Sequence, residues 1–322
     1  MSGRTILVTG GAGFIGSHLV DALVDAGDRV TVLDNLSTGF RDAVHPGARF
    51  VRGDVRDPSA LAEAFEPEPD AVCHIAGQAS VRLAYADPHA DLGVNVGGTL
   101  NILEHCLTHG TGRLIFASSM TVYGDPPLIP TPESAPVKPA SFYGVTKSAA
   151  EGYVQLTGAR TDLETPFSVT SLRMFNVYGP RQSLSNPYQG VLAIFLGNVM
   201  RGEPITIHGD GEQSRDFVYI SDAVRAWQQS LDDPRAVGKV LNVGSGAPVS
   251  VNRLCDAVLA QFGFSRSSYR VESAPAQQGD VRASAADISL IEKTLGWTPR
   301  INFDRGLAET VAWARQASAP AT

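Results

Sequence analysis

The chain has 322 residues, 43% of them hydrophobic and 18% charged, with a formal net charge of −7. That length and apolar content suffice for one large domain or a large and a small one, folded without a disulfide or metal staple. The negative balance argues against the broad basic field that draws a nucleic acid, and no apolar run reaches the roughly 18 residues that would suggest a membrane span.

From Met1 the chain runs directly into the strand-like Thr5-Ile6-Leu7-Val8, without the basic and long apolar stretches of a secretory leader. Cys73, Cys106 and Cys255 are odd in number, widely spaced and set among apolar neighbours, so they are expected as reduced core thiols of a cytoplasmic protein. Short β-branched runs predict strands over 4–9, 29–33, 49–52, 71–75, 113–117 and 168–173. Amphipathic spacing predicts helices over 14–26, 58–65, 92–109 and 142–157. This alternation is the pattern of a Rossmann-type α/β fold, a doubly wound parallel sheet with helices on both faces. Beyond Gly179-Pro180 the alternation fades, until Val240-Leu241-Asn242-Val243 predicts one more strand. The expected organisation is a first domain over 1–176, to which 216–246 returns, interleaved with a smaller one from 177–215 and 247–322. The Ala/Ser/Pro tail after Arg315 is expected to fray.

The first strand ends in Thr9-Gly10-Gly11-Ala12-Gly13-Phe14-Ile15-Gly16. Gly10, Gly13 and Gly16 let the chain turn sharply, bring bare backbone to a pyrophosphate and pack a helix on the sheet. The helix opening at Phe14 and Ile15 then offers N–H groups and a positive dipole end to the phosphates. Asp34 ends the second strand 18 residues after Gly16, where a carboxylate accepts ribose hydroxyls and repels a 2′-phosphate, so NAD is expected over NADP. Asp54-Val55, after the third strand, suits the adenine edge, and suits a plain strand-ending turn equally well.

Tyr143-Gly144-Val145-Thr146-Lys147 puts a phenol and an ammonium four residues apart on one helix face. A lysine about 4 Å from a phenol favours phenolate by up to about 4 kcal/mol at an effective dielectric near 20. The expectation is a Tyr143 pKa lowered by as much as about three units from its ordinary value of about 10. Tyr-x-x-x-Lys alone is equally a surface aromatic–lysine pair. Upstream, Ser118-Ser119-Met120-Thr121-Val122-Tyr123-Gly124 adds hydroxyls beyond the carboxyl end of a strand, where open α/β sheets hold ligands.

The order of the glycine loop, Asp34-Asn35, Ser118-Ser119-x-x-Val122-Tyr123-Gly124 and Tyr143-x-x-x-Lys147 resembles the extended short-chain dehydrogenase/reductases. Arg173-Met174-Phe175-Asn176, Gly209-Asp210-Gly211-Glu212-Gln213-Ser214-Arg215-Asp216-Phe217, Gly279-Asp280 and Leu295-Gly296-Trp297 extend the likeness to the nucleotide-sugar branch, over nearly the whole chain. The resemblance implies NAD as cofactor, a UDP-sugar as substrate, and a homodimer through the helices near 92–109 and 142–157. It implies that Ser119 bonds the reacting sugar hydroxyl, that Tyr143 takes its proton, and that Lys147 holds the nicotinamide ribose. It also implies that Asn35, Ala76, Gln78 and Asn95 border the cofactor, and that Asn176, Val191 and Arg215 contact the substrate.

Dehydratases of this family carry Asp-Glu where Met120-Thr121 stand here, because eliminating water needs an acid and a base. Met120 has no proton to give and Thr121 is a poor acid, so a 4-epimerase is the expected activity, with UDP-hexose as substrate. UDP-glucuronate stays open, because Ser119 and Thr121 can bind a carboxylate; UDP-N-acetylglucosamine stays open because Ser284 is small where some relatives place a tyrosine. A dehydratase, a net reductase and a catalytically silent sensor are the rival readings. Gln277 stands where many relatives carry a phosphate-binding arginine, and Arg282 is the expected substitute. His208 is a candidate for the uracil edge. His105 and His109, without a matched carboxylate, are expected on a helix surface and not as a metal pair.

Overall fold

The computed structural model describes residues 3–184, 186, 190–276 and 281–317. Its first half runs β1 (Thr5–Thr9), α1 (Phe14–Asp25), β2 (Arg29–Asp34), β3 (Arg49–Arg52), α2 (Pro58–Ala64), β4 (Ala71–His74), α3 (Val81–Ala86), α4 (Pro88–Leu92), α5 (Gly98–Thr108), β5 (Arg113–Ser119), α6 (Phe142–Gly158) and β6 (Ser168–Met174). The second half runs β7 (Asn176–Tyr178), α7 (Val191–Arg201), β8 (Ile205–His208), β9 (Ser214–Tyr219), α8 (Ile220–Asp232), β10 (Lys239–Val243), β11 (Pro248–Ser250), α9 (Val251–Gln261), β12 (Val271–Ala274), α10 (Ser289–Leu295) and α11 (Phe303–Ala317).

Seven strands form one parallel sheet in the order β10-β6-β5-β4-β1-β2-β3. Both faces are covered, which explains why β1 is buried at every position and carries Ile6, Leu7 and Val8 in an unbroken run instead of alternating. Ile6 and Val8 pack with Leu19 and Leu23 of α1 and Trp227 of α8, whereas Leu7 packs with Leu61 of α2, Ile102 of α5 and Val154 of α6. Each such side chain, fully buried, contributes about 1.5–3 kcal/mol. The strand order reverses between β1 and β4, the point at which open α/β sheets hold ligands beyond the carboxyl ends of their strands.

Two differences from the sequence reading matter for the site. The expected helix over 92–109 is interrupted by a π-helical turn, Gly93–Gly97, between α4 and α5. The wider turn is anchored by the hydrogen bonds of Asn95 at its centre, and such turns concentrate at functional positions. The second half is also more regular than its composition suggests. The apolar spacing of Ile220, Ala223, Val224, Ala226 and Trp227 marks α8, a helix read from neither periodicity nor caps, because Asp222, Arg225 and two glutamines dilute the pattern. β10 returns to the main sheet beside β6, while β11-β9-β7 and β12-β8 form two small sheets outside it. Among the described residues no helix is long and apolar enough to cross a membrane.

Candidate active site

The glycine loop lies at the β1/β4 reversal. Gly10 has φ +72°, and a Cβ there would lie 2.8 Å from the Ala76 nitrogen, so the loop after β1 and the loop after β4 meet only because position 10 lacks a side chain. A Cβ on Gly16 would fall 2.1 Å from the Gly10 carbonyl oxygen, so the third glycine seats α1 on the loop. Gly13 differs, since its Cβ would meet nothing but the Gly10 oxygen at 3.2 Å. Gly13 is also the N-cap of α1 and gives it no side-chain acceptor, which leaves the N–H groups at Phe14 and Ile15 for a ligand. An open backbone cradle at an uncapped helix start suits a diphosphate.

At the end of β2 the buried Asp34 carboxylate accepts the Ala12 N–H at 3.0 Å and the Leu36 N–H at 2.8 Å, which fixes it beside the loop. Asn35 donates to Asp54 at 2.8 Å, so the ends of β2 and β3 share one edge. Arg56, held by Asp54 at 2.7 and 2.8 Å, keeps that carboxyl at about 2, below the usual carboxylate range. Val55 is a core residue; a Cβ on Gly98 of α5 would collide with it at 2.4 Å. After β4, the Gln78 N–H donates to Asn95 Oδ1 at 2.9 Å, and Asn95 Nδ2 donates back to the Gln78 carbonyl at 3.1 Å.

The catalytic candidates converge from β5 and α6. Ser119 ends β5, and its hydroxyl oxygen accepts the Thr121 N–H at 3.2 Å and the Thr121 hydroxyl at 2.9 Å. The Ser119 hydroxyl also hydrogen-bonds the Tyr143 phenol. Ser141 caps α6 through the Gly144 N–H at 3.1 Å, and Tyr143 and Lys147 lie one turn apart on the buried face that follows. The predicted lowering of the Tyr143 pKa does not occur. Burial pushes the phenol up to about 12, with Asp91 adding to the rise and Ser119 opposing it, and Lys147 has no part in the shift. The Lys147 ammonium lies instead over the Phe116 ring, 4.4 Å from its centroid, and burial lowers its own pKa to about 8.

On the substrate side, Asn176 donates to the Asp216 carbonyl at 3.2 Å. The sequence left Met120 unexplained; its sulfur accepts the Ser284 hydroxyl at 3.1 Å and lies 3.8 Å from Asn176 Nδ2, so it bridges two walls of the site. A cavity of about 90 Å³ opens beside Thr121, lined by Met120, Tyr123, Ser141, Phe175 and Ser284 among others, with no carboxylate, thiol or imidazole among the described residues of its wall. Arg215 donates to the Ser214 and Val281 carbonyls, each at 2.7 Å. Arg282 stands in an adjacent segment, as expected, yet its guanidinium is engaged by Asp210 at 2.6 and 2.9 Å and must leave that partner to grip a diphosphate. His208 Nδ1 meets the Pro275 carbonyl at 3.2 Å, and Val191 opens α7. Gln277, Gly279 and Asp280 lie outside the described residues.

Three buried polar groups went unread in the sequence. His74 ends β4, with Nδ1 at 2.7 Å from the Thr9 hydroxyl and Nε2 at 3.0 Å from the Thr99 hydroxyl. Thr99 donates onward to the Asn95 carbonyl at 2.6 Å, which assigns the proton to Nε2, and burial, with Lys147 nearby, lowers the His74 pKa to about 3. Glu151, one turn beyond Lys147, is held by Arg173 at 2.6 and 3.0 Å and by Ser118. Asp91 is the third, and its signal was a carboxylate placed i−4 from Asn95 inside an otherwise amphipathic helix. His105 and His109 stack on each other and on Phe65 instead of lying bare, and Glu68 comes within 3.8 Å of His109. Among the described residues no cluster of His, Cys, Asp and Glu could hold a metal.

The model of the NAD dependent epimerase/dehydratase family matches residues 6–244. A UDP-glucose 4-epimerase from Mycolicibacterium smegmatis is 36% identical, over 97% of this chain and 99% of its own. The crystal structure of UDP-glucose 4-epimerase from Thermotoga maritima with UDP-glucose superposes with a TM-score of 0.91 at 37% identity, covering 97% of this chain and 99% of the other. That of the Thermus thermophilus UDP-glucose 4-epimerase complex with NAD gives 0.89 at 38% identity, with the same coverage. With more than a third of residues shared across almost the full length of both partners, this chain belongs to the NAD-dependent epimerase/dehydratase family.

Proposed function

We propose that the protein is an NAD-dependent UDP-hexose 4-epimerase, of the UDP-glucose/UDP-galactose type, inverting C4 through a transient 4-keto sugar. The observation that carries this reading is the wall of the cavity beside Thr121: among the described residues it holds no carboxylate, thiol or imidazole, and its phenol, Tyr123, is bonded to Asn242 at 2.6 Å and pushed up to about 12 by burial. Epimerisation needs one proton acceptor at the C4 hydroxyl, whereas dehydration needs a further acid–base pair at C5 and C6. The chemistry that bound NAD supplies is a reversible acceptor for the C4 hydrogen and its electron pair.

In this reading Gly10, Gly13, Phe14, Ile15 and Gly16 hold the cofactor diphosphate. Asp34 and Asn35 hold the adenosine ribose, Asp54 and Val55 border the adenine, and Ala76, Gln78, Asn95 and Lys147 face the nicotinamide end. Ser119 orients the sugar hydroxyl and Tyr143 moves its proton, with Thr121 donating to Ser119 so that the serine proton is directed to the phenol oxygen. Asn176, Val191, His208, Arg215 and Arg282 are assigned to the UDP moiety, and Met120 to the floor of the hexose pocket. The assignment divides the labour between 1–176 with 216–246 for NAD, and 177–215 with 247–322 for the UDP-sugar.

We assign the working form to a cytoplasmic homodimer. Leu100 on α5 and Val145, Tyr153 and Leu156 on α6 are exposed, and the three on α6 share one helix face at spacings of eight and three residues. Incubating the pure protein separately with UDP-glucose, UDP-N-acetylglucosamine and UDP-glucuronate, and following each by NMR, tests the substrate assignment. Equilibration of UDP-glucose with its C4 epimer supports it; conversion of either other sugar alone overturns it.

A further inference from the structure

Three side chains from three segments converge on one carboxylate. Gln78 Nε2, from the loop after β4, donates to Asp91 Oδ1 at 2.8 Å. Asn95 Nδ2, from the π turn, donates to the same oxygen at 3.0 Å. The Thr146 hydroxyl, on α6 between Tyr143 and Lys147, donates to Asp91 Oδ2 at 2.7 Å. Asp91 itself is 0% exposed. Burying a carboxylate costs several kcal/mol of lost hydration, and a neutral residue would join these segments at less cost.

The charge has a destination. Two buried carboxylates, Glu151 on α6 itself and Asp91 on α4, act on the Lys147 ammonium and oppose the lowering of its pKa by burial. Glu151 is already matched by the Arg173 guanidinium, bidentate at 2.6 and 3.0 Å. Asp91 accepts from the neutral Gln78, Asn95 and Thr146, so its charge is uncompensated. A Cβ built on Gly77 would lie 2.9 Å from Asn95 Oδ1 and 3.8 Å from Lys147 Nζ, which puts the amide clamped by Asp91 next to the ammonium.

We propose that Asp91 is a positioning residue acting through Lys147: it is the counter-charge for the buried ammonium and the clamp that holds Gln78 and Asn95 beside it. The catalytic consequence rests on the epimerase reading, but the electrostatic pairing does not. The groups that act on or lie against Lys147 are Glu151 on α6, Asp91 on α4, the neutral His74 on β4 and the Phe116 ring on β5. The four lysines of the chain, Lys138, Lys147, Lys239 and Lys293, make a direct titration practicable.

The test is ¹³Cε-lysine NMR on the cofactor-free chain, the Lys147 signal assigned by substitution. Asp91→Asn is close to isosteric: its carbonyl can take the Gln78 and Asn95 amides while Thr146 turns its proton to the Tyr143 carbonyl 3.1 Å away. Loss of the negative neighbour should lower the Lys147 midpoint by about one pH unit or more. Thr146→Val removes one hydrogen bond and no charge, and should leave the midpoint in place. Should Asp91→Asn fail to fold, Asp91→Ser removes the same charge with less bulk and is expected to give the same shift. In turnover both limbs of the pH profile should move down, because the carboxylate raises the pKa of Tyr143 as well as that of Lys147, with KM for the UDP-sugar changed less than kcat. An unmoved Lys147 midpoint in the charge-neutral variant overturns the proposal whether or not the wild-type protein epimerises; a shifted midpoint without wild-type epimerisation upholds the pairing and overturns the function.

Discussion

The Lys147 ammonium sits over the face of Phe116 at 4.4 Å from its centroid and does not act on Tyr143, the phenol one helical turn away. Cation and aromatic face attract, and the contact parks the charge on the sheet side of α6. The base is therefore protonated in the protein alone, and burial is the reason.

The first prediction follows. In the cofactor-free protein, the 295-nm difference between wild type and Tyr143→Phe should show no phenolate below about pH 10, since the phenol is raised to about 12. The same substitution should lower turnover by about 10²–10⁴-fold, the usual worth of a positioned acid–base group. Phenolate at pH 8 in the cofactor-free protein would show that a charge on the protein already activates Tyr143.

A second prediction concerns Asp34. Its carboxylate is pinned by two backbone N–H groups at the end of β2, so it cannot swing away from a cofactor 2′-phosphate. Asp34→Ser should weaken NAD binding and narrow the preference for NAD over NADP, both read by isothermal titration calorimetry. Equal affinity of the unaltered protein for the two cofactors would remove the ribose assignment.

A third concerns His74 and stability. Its folded pKa of about 3 lies below the ordinary value of 6.5, so below about pH 6.5 the unfolded chain binds a proton that the folded one does not. The His74 contribution is complete above pH 6.5 and is lost as pH falls from there towards 3, at up to about 1.4 kcal/mol per unit. Urea unfolding of wild type and His74→Gln between pH 7 and 4 checks the sign: the wild type should lose stability faster on acidification, and parallel curves would exclude a neutral buried imidazole.

Much of this was legible in the sequence. The β1–β6 strands and the glycine loop follow from apolar runs and spacing, because a doubly covered sheet writes itself as continuous hydrophobic segments. Ser119, Tyr143 and Lys147 were singled out by motif, and the structure places Ser119 at the end of β5 and the other two on the buried face of α6. The π turn was not legible, since a widened helical turn leaves the sequence spacing intact and depends on what Asn95 reaches. Asp91, Glu151 and His74 were missed for a related reason: a buried polar residue is recognised by its partners, and Thr146, Arg173 and Thr99 are 55, 22 and 25 residues away along the chain. The direction of the Tyr143 shift was misread because i, i+4 spacing shows the lysine beside the phenol but not how deeply the phenol is buried, and burial is the larger effect.

The most direct test of the central claim is to run the reaction with UDP-glucose in D₂O and analyse the product by mass and NMR. Because the described wall of the cavity beside Thr121 holds no carboxylate, thiol or imidazole, the C4 configuration should equilibrate with the sugar's mass unchanged, and no solvent deuterium should appear at C4 or C5. Loss of one water, or full deuteration at C5, would contradict the account and require an acid–base pair beyond the described residues of this wall.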